Sequence, residues 1–182
     1  MLLCIPCAIT FANMLLGVAA IFLALDGTSE KNIVACMCVL LAGITDKLDG
    51  ALARKLKATS EFGKELDSLC DVISFGIAPI IIGLNSQISI VGYLHYIVYM
   101  IYIGAAVFRL ARYNVMKETS YFLGLPITVA GMCLSLVYLI YNYYMMSKNS
   151  VGNYLYFILA LVMGLSVLMV SNIRIYTFRA DQ

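Results

Sequence analysis

Six apolar segments, each close to the length needed to cross a lipid bilayer, follow one another along the chain. A spanning helix needs about 20 predominantly apolar residues. With 63% hydrophobic and 12% charged residues, the chain has more apolar surface than a soluble fold of its size can bury. We therefore expect an all-α integral membrane protein with six transmembrane helices and one membrane-embedded domain over residues 1–182. The predicted helices are Ala8–Leu25, Asn32–Lys55, Gly63–Leu84, Ile90–Val115, Pro126–Met146 and Gly152–Tyr176.

Charge and cysteine content exclude several classes of protein. The net charge of +2 leaves no basic footprint for nucleic acid. Most of the six cysteines lie inside apolar runs and are interpreted as small buried thiols. The pair Cys4 and Cys7 lacks a matching second pair for a zinc site. The first apolar segment has neither a basic leader nor a small-residue cleavage site, so we expect a mature helix.

The distribution of basic residues predicts the orientation in the membrane. Short loops rich in Lys and Arg stay in the cytoplasm. One side of the predicted bundle carries Lys55, Lys57, Lys64, Lys117, Arg174 and Arg179, whereas the other carries Lys31 and Lys148. We therefore expect a multi-pass protein of the cell membrane with both termini and the connection between helices two and three in the cytoplasm.

Four aspartates lie inside predicted membrane helices. Asp46 and Asp49 are three residues apart on the second helix, and Asp67 and Asp71 are four apart on the third. Each pair therefore shares one helix face. An aspartate near a helix centre costs about 2.5–3.5 kcal/mol to insert, so these side chains are expected to avoid lipid. A short connection makes the two helices antiparallel, and both pairs then face one another at a shallow cytoplasmic depth.

Four carboxylates aimed at one volume repel one another unless a cation or a proton neutralises them. Oxygen ligands without histidine or thiolate suit Mg²⁺, Mn²⁺ or Ca²⁺. Two such ions would clamp and polarise a diphosphate. One alternative is that the aspartates pair with Lys47, Arg54 and Lys64. Another is a cation transporter, although its site would usually lie at the membrane midplane with access from both sides.

Small residues flank the aspartates. Gly50 and Ala53 follow Asp49, and Gly63 precedes Asp67. They allow close helix packing, and they also leave room for a nucleotide against bare backbone. Arg54, one turn beyond Gly50, can reach a phosphate from the cytoplasmic rim.

This region resembles the signature of the CDP-alcohol phosphotransferases, D-x2-D-G-x2-A-R-x8-G-x3-D-x3-D. All eight fixed positions match, and they are Asp46, Asp49, Gly50, Ala53, Arg54, Gly63, Asp67 and Asp71. The resemblance implies the family's six-helix membrane bundle, a homodimer and a divalent metal, Mg²⁺ or Mn²⁺, with two ions.

Flanking segments resemble the phosphatidylserine synthase branch of that family. The branch implies transfer of a phosphatidyl group from CDP-diacylglycerol, or an ether-lipid equivalent, to the hydroxyl of L-serine, with release of CMP. Cys7 and Thr128 depart from it, since asparagine and proline are common at those positions. The matching segments are 58–63, 67–79, 108–114 and 124–131.

The resemblance also implies roles for individual residues. Asp46, Asp49 and Asp67 would bind metal and hold the donor diphosphate. Asp71 would complete the metal site and act as general base on the acceptor hydroxyl. Further residues would line the cytidine and phosphate pocket, although the last two in the list could instead form interhelical hydrogen bonds. These residues are Gly50, Ala53, Arg54, Ser60, Gly63, Thr10 and Asn13.

Two arginines on the fourth helix are candidates for the acceptor site. Arg109 or Arg112 would hold the serine carboxylate through paired hydrogen bonds, or both could extend to the lipid headgroups. Ser74 and Asn114 are candidate partners for the serine amine. The same arginines would also suit a phosphorylated acceptor, such as inositol phosphate or glycerol 3-phosphate.

Overall fold

Six helical stretches form the bundle in the part of the chain that the structure describes. A computed structural model describes residues 4–55, 60–86, 93–115, 121–147 and 154–176. Within these ranges the fold is helical apart from two short strands. The helices are α1 (Cys4–Leu25), α2 (Ser29–Lys55), α3 (Glu61–Asp71), a π-helical turn (Val72–Ile77), α4 (Ala78–Asn85), α5 (Leu94–Val115), α6 (Ile127–Ser147) and α7 (Tyr154–Val170); the strands are β1 (Tyr121–Leu123) and β2 (Arg174–Tyr176).

Four of the helical stretches are long and apolar enough to cross a membrane, and they make this a multi-pass membrane protein. They are Cys7–Leu25, Glu61–Asn85, Leu94–Val115 and Ile127–Tyr144. Helix α2 is apolar in its middle but charged at both ends, and α7 has 17 residues within the described part of the chain. Length and composition therefore support four of the six predicted spans.

The third helical stretch is continuous but changes its winding after Asp71. The π-helical turn Val72–Ile77 separates α3 from α4. Pro79, in the first turn of α4, has no N–H for the carbonyl of Phe75 four residues earlier. The hydroxyl of Tyr102 on α5 donates to that carbonyl at 3.1 Å. The irregular turn is thus anchored by a neighbouring helix immediately after a predicted catalytic residue.

Small residues bring the helices close together around this turn. A Cβ atom on Gly17 of α1 would lie 2.7 Å from the Cα of Ser74, and one on Gly131 of α6 would lie 2.8 Å from the Cα of Phe75. Gly43 of α2 packs in the same way against Met132 of α6. Helices α1 and α6 are therefore held tightly against the segment that follows Asp71, and α2 is held against α6.

The predicted sixth helix, Gly152–Tyr176, was wrong at its C-terminal end. Helix α7 ends at Val170, and Arg174–Tyr176 instead pairs antiparallel with Tyr121–Leu123. Gly124, with φ of +72°, starts the return of the chain from β1, and its N–H donates to the carbonyl of Ile173 at 3.0 Å. A side chain at Gly124 would strike the Met169 carbonyl. The strand pairing supplies hydrogen bonds that end the helix.

Candidate metal and active site

Three of the four predicted aspartates meet at one end of the bundle. Asp46 comes from α2, and Asp67 and Asp71 come from α3. One carboxylate oxygen of each lies within 4.8 Å of the others. Asp71 is buried, and the other two are half-buried. The fourth aspartate, Asp49, belongs to α2, but the structure does not describe its side chain.

The start of α3 sets the direction of its two aspartates. Ser60 is the N-cap residue, and its hydroxyl accepts a hydrogen bond from the N–H of Gly63 at 3.0 Å. Capping of this kind fixes where a helix begins. Asp67 and Asp71 then fall one turn apart on the same face. Ser60 and Gly63, predicted to line the donor pocket, therefore also build the helix that carries the cluster.

The chemistry of the cluster fits a hard divalent cation. Among the described residues its ligand atoms are carboxylate oxygens, and Asp46 lies within hydrogen-bonding distance of Asp71. Two carboxyl groups in such contact need a proton or a cation between them. Lys64, considered as a partner for the acids, has its ammonium 5.1 Å from the centre of the Tyr113 ring. Carboxylate oxygens at this spacing are the ligands that Mg²⁺ and Mn²⁺ prefer.

A threonine that the sequence did not identify as functional also reaches the cluster. The hydroxyl of Thr128, in the first turn of α6, donates to Oδ2 of Asp46 at 3.1 Å. The two residues are 82 positions apart in the chain. The only sequence signal was that Thr128 departs from the proline common in the resembling branch.

The two predicted acceptor arginines have different surroundings. Arg109 is buried, lies within electrostatic reach of Asp71, and has an Nε atom with no hydrogen-bond partner among the described residues. Arg112 donates to the carbonyls of Val170 and Ser171, at 3.2 Å each, and to Oδ1 of Asn172 at 3.1 Å. Arg112 thus binds the C-terminal end of α7, where cations are favourable. Of these two arginines, Arg109 is the one that lies beside the acid cluster.

Asn114 and Ser74, predicted near the serine amine, both link helices. The amide nitrogen of Asn114 donates to Oε2 of Glu65 at 3.0 Å and to the hydroxyl of Ser68 at 3.1 Å. These bonds tie α5 to α3 on the turns that carry Asp67 and Asp71. The buried hydroxyl of Ser74 donates to the backbone carbonyl of Asn13 at 3.2 Å. Both residues therefore already have structural partners.

The predicted donor pocket is described in part. Asn13 is fully buried, and neither polar atom of its amide has a hydrogen-bond partner in the described ranges. Thr10, one turn earlier, is also buried. A Cβ atom on Gly50 would meet open space, so there is room beside this glycine. The side chains of Ala53 and Arg54 lie outside the described residues.

Comparison with known proteins supports the interpretation of the signature. Residues 3–172 match the family model described as CDP-alcohol phosphatidyltransferase. The chain belongs to this family. It is 37% identical to a CDP-diacylglycerol–serine O-phosphatidyltransferase of Helicobacter pylori, over 96% of this chain and 72% of that protein.

Two further relatives come from distant organisms. The chain is 32% identical to the Bacillus subtilis enzyme of the same name, over 96% of this chain and 91% of that protein. It is 35% identical to an archaetidylserine synthase of Methanothermobacter thermautotrophicus, over 93% of this chain and 68% of that protein. The similarity thus extends over the whole bundle.

Proposed function

We propose that this chain transfers the phosphatidyl group of CDP-diacylglycerol, or of an ether-lipid equivalent, to the hydroxyl of L-serine and releases CMP. One observation carries this proposal: the two halves of the signature bring Asp46, Asp67 and Asp71 to within 4.8 Å of one another. The relatives named for serine transfer, which match 96% of the chain, support serine as the acceptor.

Asp46, Asp67 and Asp71 would hold Mg²⁺ or Mn²⁺, with Asp49 as a further ligand and two ions in the complete site. Bound metal would neutralise the donor diphosphate and polarise the phosphorus to be attacked. The cluster supports this role because its oxygens already converge and need a cation to offset their mutual repulsion.

Asp71 is the proposed general base. It accepts the proton of the serine hydroxyl while the serine oxygen attacks the lipid-side phosphorus. A new P–O bond to serine forms, the P–O bond to the CMP phosphate breaks, and CMP leaves. Asp71 is buried beside the carboxylates of Asp46 and Asp67, so a hydroxyl bound at the cluster would lie within its reach.

Arg109 is the proposed partner of the serine carboxylate. Its guanidinium is buried next to Asp71 and keeps donor capacity at Nε. An arginine binds a carboxylate through two parallel hydrogen bonds. Holding serine there would place its hydroxyl near the base, whereas Arg112 is engaged at the end of α7.

The donor would enter from the bilayer along α1 and α2. The unsatisfied amide of Asn13, together with Thr10, supports a role in binding the nucleotide. Gly50 and Gly63 would let the diphosphate approach the backbone, with Ala53, Arg54 and Ser60 completing the pocket.

All six helical stretches are proposed to cross the membrane in this single-domain protein. The charged ends of α2 would lie at the two interfaces, and α7, with 17 described residues, would be accommodated by local thinning of the bilayer. The excess of basic residues supports a cytoplasmic position for the acid cluster and for both termini; the termini lie outside the described residues. The homodimer implied by the family stays a prediction.

Purified protein in detergent with CDP-diacylglycerol and Mn²⁺ tests the reaction. Radiolabelled serine should enter the lipid fraction with equimolar release of CMP. Parallel reactions with inositol phosphate and glycerol 3-phosphate should release no CMP above background. Release of CMP with a phosphorylated acceptor but not with serine would overturn the assignment.

A further inference from the structure

The contact between Thr128 and Asp46 joins the acid cluster to a helix that carries none of its acids. Asp46 lies on α2, Asp67 and Asp71 lie on α3, and Thr128 lies on α6. The side chain of Thr128 is buried, and its hydroxyl donates to Oδ2 of Asp46 at 3.1 Å. A buried hydroxyl that donates to a carboxylate makes a charge-assisted hydrogen bond, which is stronger than a neutral one.

The packing of α2 against α6 explains why this hydroxyl reaches the cluster. Gly43 of α2 packs directly against Met132 of α6. Moving one turn along both helices in opposite directions leads from Gly43 to Asp46 and from Met132 to Thr128. Antiparallel helices in close contact bring these positions together. The hydrogen bond is therefore the next contact after the glycine along one interface.

The same end of α6 also contacts the segment that follows Asp71. Gly131 packs against the backbone of Phe75, within the π-helical turn that follows Asp71. Thr128 and Gly131 are one helical turn apart. Helix α6 thus contacts both the carboxylate of Asp46 and the segment carrying Asp71, so it can set the position of one acid relative to the other.

A carboxylate on a single Cβ atom rotates freely unless its oxygens are held. In metal sites, hydrogen bonds from outer partners fix the orientation of the ligands and commonly change metal affinity by about 10–100-fold. Among the described residues, Thr128 is the one outside the cluster whose side chain donates a hydrogen bond to Asp46. Its hydroxyl can donate a hydrogen bond and lies where it can fix the orientation of the Asp46 carboxylate.

We propose that Thr128 is a positioning residue for the metal site, holding the Asp46 carboxylate in the orientation that faces Asp67 and Asp71. This inference rests on the proposed function, because it assumes that the cluster binds a divalent metal. In this proposal Thr128 contributes no ligand atom to the metal and makes no contact with substrate. It acts through Asp46, and its removal should weaken metal binding before it affects anything else.

The test compares Thr128→Val, which keeps the shape and removes the hydroxyl, with Thr128→Ser, which keeps the hydroxyl. Ser135→Ala is a matched control, because Ser135 is fully buried two turns further along α6 and its hydroxyl makes no hydrogen bond within the described part of the chain. Mn²⁺ binding is measured by isothermal titration, and thermal unfolding is measured in chelator.

Thr128→Val should weaken Mn²⁺ binding about ten-fold, at the lower end of the range for outer partners of metal ligands. Thr128→Ser should restore the affinity to near that of the unaltered chain, and Ser135→Ala should leave it unchanged. Should the valine variant fail to fold, Thr128→Cys replaces it, since a thiol is a weaker donor.

Unchanged Mn²⁺ affinity in Thr128→Val, with or without a lower unfolding temperature, would overturn the inference and leave a packing role. An equal loss in Thr128→Ser would overturn it too. Absence of Mn²⁺ binding in the unaltered chain would instead contradict the proposed function, so the two failures are distinguishable.

Discussion

The same three helical stretches build a polar cluster at each end of the bundle, and the two clusters differ in charge. At one end, α2, α3 and α6 contribute Asp46, Asp71 and Thr128. At the other end, α2, the end of α4 and α6 contribute Asn32, Ser86 and Asn142. The partners on each stretch are 14 or 15 residues apart, about 21 Å along a helix.

The neutral cluster pairs hydrogen-bond donors with acceptors, apart from the buried Oδ1 of Asn32, whereas the acidic cluster brings several carboxylates together. Asn32 and Asn142 both donate to the Ser86 hydroxyl, at 3.4 and 3.1 Å, and Asn142 also donates to the Tyr138 carbonyl at 2.8 Å. Neutral donors and acceptors can pair with one another inside a bundle. An ionised carboxylate can accept hydrogen bonds but cannot donate them, so the acidic cluster needs an added cation or proton. The first cluster holds the fold together, and the second is suited to bind a ligand.

The largest effect is expected from removing the base at the acidic end. Asp71→Asn should lower the rate of serine transfer about 1,000-fold, within the range of about 10²–10⁴ for general base catalysis. Its thermal unfolding temperature in chelator should not fall, because the amide removes like-charge repulsion. CMP release and thermal unfolding measure the two effects. Retained activity would contradict the role of Asp71.

A smaller effect is expected from the arginines of α5. Arg109→Lys should raise the KM for serine about 10–100-fold, because it replaces a paired hydrogen bond worth about 1.5–3 kcal/mol with a point charge. Arg112→Lys should leave this KM unchanged and lower the unfolding temperature, because Arg112 binds the end of α7. Steady-state kinetics with varied serine measures both. The opposite pattern would assign the acceptor site to Arg112.

The smallest effect on catalysis is expected at the neutral end. Asn142→Ala removes the two hydrogen bonds that this amide donates to Ser86 and Tyr138. This loss should lower the free energy of unfolding by about 1–3 kcal/mol. The unfolding temperature should fall, while the rate of serine transfer at permissive temperature stays unchanged. A large loss of activity without a loss of stability would show that the two ends are not separate in function.

The sequence predicted the acidic end better than it predicted the contacts around it. The spacing of Asp46, Asp67 and Asp71 and their cost in a membrane depend on local helix periodicity, and the structure brings them together as expected. Helix starts and ends were mostly close to the predicted ones for the same reason. The positions of the apolar segments are also a local property of the chain.

Contacts between distant parts of the chain could not be read from the sequence. The bond from Thr128 to Asp46 depends on how α2 and α6 align, and no local pattern encodes that alignment. The π-helical turn depends on Tyr102 of another helix, although Pro79 marks its end. The different surroundings of Arg109 and Arg112 depend on where α7 ends, and the pairing of β2 with β1 decides that end.

Locating a divalent ion at the acidic end tests the proposed metal site most directly. A crystal grown with Mn²⁺ and examined by anomalous scattering should show a peak bounded by the carboxylates of Asp46, Asp67 and Asp71, and the peak should be lost in Asp67→Asn. Anomalous peaks only at other positions, or a peak unchanged in Asp67→Asn, would contradict the claim that this cluster is the metal site.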